Sequence, residues 1–218
     1  MKSKVLWPVV LILVFAVSRW PGLMPQNFSA AYALCFCAGL YLPRRLAWSL
    51  PLGVMLLTDV FLTFLHYHPE HYSWLAFVRD QAPSYAAYAL VIGLGCVLGR
   101  KRSFLTLLSG GILGAILFYL LTNTLSWVMD AGYQKTLADW FRALTVGKPG
   151  YPPTWEFFRG TFLSGGLFTG LFVGAMKMTE ASDESPAENE EPEEEESGEA
   201  EPSLTPAPAE DTGHPAAS

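Results

Sequence analysis

Three kinds of residue in this chain could do chemistry. The first is a set of polar side chains stranded in or beside apolar runs: Arg19, Asn27, Asp59, Asn123, Trp127 and Arg159. An ionised carboxylate facing lipid is costly, so Asp59 must face protein and needs a partner, for which Arg19 and Arg159 are the cations at matching depth. Such a pair either fixes helix register or forms the wall of a small binding pocket, where the charged pair orients a solute and the aromatic rings stack on it. The second is His66-Tyr67-His68-Pro69-Glu70-His71-Tyr72. His66, His68 and His71 are of a type that ligates Zn²⁺, Ni²⁺ or Co²⁺. Pro69 breaks any helical i, i+4 pairing, so the stretch reads as a polar-aromatic interfacial loop, with the metal site as the alternative. The third is Cys35, Cys37 and Cys96. All fall in apolar runs and read as small hydrophobes. No dithiol, nucleotide-loop, nucleophile-elbow or zinc-protease motif occurs. No cofactor is expected, and with one lone Asp and scattered His the chain reads as a non-enzyme.

The elements that would position these residues follow from composition. Of 218 residues, 51% are hydrophobic, 14% aromatic and only 16% charged. Runs almost free of charge recur at about 5–18, 28–42, 46–66, 84–99, 104–128 and 157–176. Several approach the ~20 residues that cross ~30 Å of hydrocarbon. Backbone groups in lipid must be paired within the segment, and the ~10-residue alternation of a barrel is missing, so the expectation is an all-α, polytopic membrane bundle of about six helices. At a rise of ~1.5 Å per residue, Asp59 lies about 20 Å into its run and Asn123 about 28 Å into its own. Asn27, Arg19, Arg159, Thr161 and Ser164 sit at the same ends. Five segments therefore bring polar groups to one level, and a soluble enzyme, a disulfide-stapled domain and a nucleic-acid binder are all disfavoured.

Orientation rests on the basic residues. Short turns hold Pro43-Arg44-Arg45 and Arg100-Lys101-Arg102-Ser103, on the side of Lys2, Lys4 and Lys177. The opposite side dilutes its basic residues among Glu70, Asp80, Asp130, Asp139 and Glu156. Both termini are expected inside, at a cell (inner or plasma) membrane, with the polar level in the outer third. Lys2, Lys4, the apolar stretch and Ala16-Val17-Ser18 also resemble a secretory signal, but the segment is read as a retained span. The charges divide at the end of the last run. All 14 Lys and Arg fall in 1–179 with six acids, a net +8, whereas 180–218 hold 14 acids and no Lys or Arg. The domain reading is a bundle over 1–178 and a disordered, acidic, cytoplasmic tail over 179–218.

Small residues recur at four-residue spacing: Gly166, Gly170 and Gly174; Gly110 and Gly114; Gly95 and Gly99. These stripes let helices approach closely, within the bundle or against a partner. In the long 129–156 connection, Leu137, Trp140, Phe141 and Leu144 share a face and Thr136 precedes them. That pattern predicts a short amphipathic helix, as a lid or an interfacial anchor.

Four blocks carry a resemblance. They are Arg19-Trp20-Pro21 with Gln26-Asn27-Phe28-Ser29; Leu57-Thr58-Asp59-Val60-Phe61-Leu62 with His66; Phe118-Tyr119-Leu120-Leu121-Thr122-Asn123 with Trp127; and Tyr151 through Phe158-Arg159-Gly160-Thr161 to Phe168. Over about 15–175 the chain resembles an uncharacterised family of small bacterial membrane proteins. That family is similar in fold to the substrate-binding S components of energy-coupling-factor (ECF) transporters, six-helix proteins that capture vitamins or metal ions outside the cell. The resemblance implies a shared coupling subunit and ATPases as partners, and marks Asn27, Asp59, Asn123 and Trp127 as motif positions. Where S components often carry Ala-xxx-Ala on the first docking helix, this chain has Ala31-xxx-Cys35 and Ala33-xxx-Cys37. The expected function is binding or uptake of a small solute; the alternative is a membrane scaffold that uses the glycine stripes and the acidic tail.

Overall fold

The computed structural model describes residues 2–67 and 70–184. His68 and Pro69 lie outside the described residues, as does the acidic tail from residue 185. Within the described residues the chain is all-helical. α1 is Lys2–Ser18, α2 Ala31–Tyr41, α3 Arg44–Val60, α4 Trp74–Leu98, α5 Phe104–Met129, α6 Leu137–Leu144 and α7 Thr154–Glu184. α3 runs on as a π-helical segment, Phe61–Tyr67. Four helical stretches are long and apolar enough to cross a bilayer: Arg44–Tyr67, Trp74–Leu98, Phe104–Met129 and Thr154–Ala181. The protein is a membrane protein on that ground.

α2 explains the architecture. It is apolar on every side, and every residue from Ala31 to Leu40 is buried. A helix without a polar face must be enclosed, and α1, α3, α4, α5 and α7 all pack on it. Around this post, α1 packs on α7, α7 on α5, α5 on α4 and α4 on α3. The approach of α4 is set by glycine. A Cβ on Gly39 would lie 2.3 Å from the Ile92 carbonyl oxygen, and one on Gly95 would lie 2.3 Å from that of Phe36. Gly166, Gly170 and Gly174 face Ile112, Leu108 and Phe104 of α5, so this stripe is spent within the bundle.

Three boundaries differ from the sequence expectation. The 28–42 run is helical only over the 11 residues of α2, or about 16 Å, half of a hydrocarbon core. Before it, 19–30 form turns, with Asn27 left-handed at φ 56°. Irregular backbone at such a place must be held by protein. Here Ser18 Oγ accepts from Ala30 N at 3.0 Å and Ser29 Oγ from Ala31 N at 3.2 Å, while Gln26 and Asn27 lie against Gly160 of α7. The 84–99 run is part of a longer helix. α4 starts at Trp74, where Ser73 caps it by accepting from Ala76 N. Arg79, Asp80 and Pro83 interrupt the hydropathy but not the helix. α7 also continues past 178, to Glu184.

Candidate functional site

Asp59 is the best-enclosed charged side chain among the described residues, 3% exposed. Arg19 donates to its Oδ1 at 2.5 Å, and Tyr85 of α4 donates to its Oδ2 at 2.9 Å. Both oxygens are thus engaged from two other segments, which is what a carboxylate in an apolar bundle requires. Of the two cations at matching depth the partner is Arg19. It stands just after α1, over the Phe15 ring at 5.7 Å, and its side chain is 21% exposed. Directly beyond Asp59, α3 changes pitch. The Phe61 N–H is shared between the Leu57 and Thr58 carbonyls, and the π-helical segment begins there. Wide turns of this kind are rare and recur at functional sites. Beside the pair lies a recess of about 180 Å³ lined by Ala16, Arg19 and Trp20 on one lip and Thr58, Phe61 and Leu62 on the other. Tyr85, Thr58 and the π turn were not legible as site features. A tyrosine within an apolar run carries no mark of which helix it faces.

The other candidates gather elsewhere. Asn123 donates to the Tyr119 carbonyl of its own helix at 2.8 Å. Trp127 donates to the Gln134 carbonyl at 3.0 Å, and Trp140 of α6 to Thr124 Oγ1 at 3.0 Å. The Tyr119 hydroxyl donates to the carbonyls of Leu144 and Thr154. These bonds fasten the 129–156 connection over the ends of α5 and α7. The amphipathic helix in it is α6, capped by Thr136, which accepts from Asp139 N. Asn27 and Arg159 form a third location, where 19–30 meets α7. Asn27 is exposed, and Arg159 is exposed over the Trp155 ring. Below them Tyr32 and Thr161 meet at 3.3 Å between α2 and α7. The six residues therefore fall into three groups around one end of the bundle, and Arg19 and Asp59 are the two that touch. His66 packs its ring on Trp20 at 6.2 Å, and His71 sits in a left-handed turn at φ 61°. No group of three or more His, Cys, Asp or Glu able to hold a metal occurs among the described residues.

A family of unknown function, DUF6580, matches residues 1–187. The chain belongs to that family. No curated protein and no solved structure matches it. The match covers α1 to α7, all the helices among the described residues of this DUF6580 chain. The connection closing one end of the DUF6580 bundle is also held electrostatically. Lys148 pairs with Asp130, and the Lys148 ammonium and Arg142 guanidinium both lie over the Tyr133 ring, at 5.7 and 5.4 Å. The Lys148 ammonium, then the Gly132 N–H, hold the Asp130 carboxyl below the usual carboxylate range, while burial raises the Tyr133 phenol.

Proposed function

We propose that this membrane protein is a non-catalytic binding or uptake component for a small solute, with six-helix, S-component-like architecture. α1 and the 19–41 region count as two further passes, both termini are cytoplasmic, and the solute is met in the outer third of a cell membrane. The observation that carries the reading is the buried Asp59, held by Arg19 and Tyr85 beside a recess at the start of a π-helical segment. Perturbed backbone and a desolvated charged group at one place in a concave surface are what binding sites combine. Arg19 and Asp59 form the site, Asn123 and Trp127 hold the cover at the end of α5, and Asn27 and Arg159 belong to the surface between them. With no nucleotide motif in the chain, energy for uptake would come from a coupling subunit and ATPases.

Native mass spectrometry of the gently purified full chain tests this. A retained small molecule that is lost on Arg19→Lys is the expected result. A bare mass, together with no stabilisation by any member of a panel of vitamins, micronutrients and small amphiphiles, would sink it. The scaffold alternative gains nothing from the glycine stripe on α7, which packs on α5.

A further inference from the structure

The helices around α2 do not form a closed ring. α1 packs on α2 and α7, and α3 on α2 and α4, but α1 and α3 share no comparable packed face among the described residues. Their seam is bridged instead by an ion pair, Arg19 with Asp59, and a ring contact, Trp20 with His66. The recess lies in this seam, with three lining residues from each lip. Its flanks carry exposed Val17 on α1 and exposed Leu57 and Phe61 on the other side. A cavity of this order is enough for a benzene-sized apolar guest, since an engineered one of ~150 Å³ accepts benzene.

The head group is decided by charge. Arg19 and Asp59 neutralise each other, and Tyr85 completes the carboxylate. A guanidinium has five N–H donors. One is used on Asp59, and no other acceptor among the described residues meets it. An anionic head would add a third charge without a counterion beside the pair, and a cationic head would meet Arg19. A neutral oxygen acceptor takes the spare donors with no excess charge.

We infer that the α1/α3 seam binds an uncharged amphiphile, whose carbonyl-type oxygen accepts from the Arg19 guanidinium and whose apolar part lies between Ala16 and Phe61. The ligand enters sideways from the bilayer rather than from water. This rests on the solute-binding reading and names the class of solute.

The test uses the full chain in phosphatidylcholine nanodiscs, with octanamide, octanoate and octylamine as probes and the ligand-induced rise in Tm as readout. Octanamide should raise Tm saturably, with the two charged probes weaker by roughly tenfold or more. Ala16→Phe fills the recess from an exposed position. It should abolish the octanamide response without lowering the resting Tm. Arg19→Lys keeps the charge opposite Asp59 but loses the fork, and should weaken octanamide roughly tenfold. An octanamide response unchanged by Ala16→Phe, or octanoate binding as tightly as octanamide, overturns the inference. Silence from all three probes, with a water-soluble solute retained in native mass spectrometry, overturns it and leaves the solute-binding reading standing. Silence in both experiments removes both.

Discussion

Asp59 is the residue on which the bundle's polar energetics turn. Its carboxylate is buried and doubly hydrogen-bonded, so removing its cation leaves a stranded charge. Arg19→Gln should therefore destabilise by about 3 kcal/mol, the low end for a buried pair because Arg19 keeps some exposure. Asp59→Asn should cost a similar amount. The double variant should cost clearly less than the sum, with a coupling of about 1–3 kcal/mol in a thermodynamic cycle measured by unfolding in detergent. Additive losses would mean that the pair is not a unit. Asp130 acts at another site and in another range. Its pKa is lowered by Lys148 and Gly132. Its contribution to stability is therefore present above the ordinary carboxylate pKa of about 3.9 and is lost as pH falls through the lower folded-state value. The Tm difference between wild type and Asp130→Asn should be present at pH 7, shrink on acidification below about pH 4 and vanish once pH is below the lowered folded-state value. A difference that persists there would deny the Lys148 partnership.

Among the elements, the short α2 depends on close approach more than on length. Gly95→Ala places a methyl against the Phe36 carbonyl, where only backbone movement makes room. It should cost about 2 kcal/mol or more. Gly53 in α3 has nothing within 4 Å of an added Cβ. Gly53→Ala should be neutral or stabilising by up to ~1 kcal/mol, since alanine is the better helix former. Paired thermal scans distinguish a specific crossing from a general intolerance of substitution. α6 was legible at the level of the element. Thr136, Asp139 and the Leu137-Trp140-Phe141-Leu144 face predict its start and its amphipathic side, and the helix runs Leu137–Leu144. The change of pitch after Val60 was not. A π turn and an α turn use the same apolar residues, so the sequence pattern does not choose between them.

For the whole molecule, four long apolar helices place the chain in a bilayer, and the uneven basic residues give a topology to check. Single cysteines at Lys101 and at Lys135, in a background free of the native cysteines, should react with a membrane-impermeant reagent from opposite sides, Lys135 from outside. Labelling of both from one side would reverse or dissolve the assignment. Deleting 185–218 should leave solute retention unchanged, because Arg19, Asp59, Tyr85 and the residues lining the recess all lie within 16–85. Loss of retention in that variant would transfer weight to the tail and to the scaffold alternative.

The sequence by itself determined that this is a helical membrane protein, that its last helix precedes an acidic stretch, that α6 is capped and amphipathic, and that Asp59 needs a cation near its own depth. Each of these depends on composition or on distance along one helix. Only the tertiary structure decided which of two arginines is that cation, that the glycine stripe on α7 faces α5, that α2 is a post enclosed by five helices, and that α1 and α3 leave a seam. An evenly apolar helix has no preferred face in its sequence. Rotation and neighbourhood are therefore settled only when glycines meet carbonyl oxygens and one buried charge meets another.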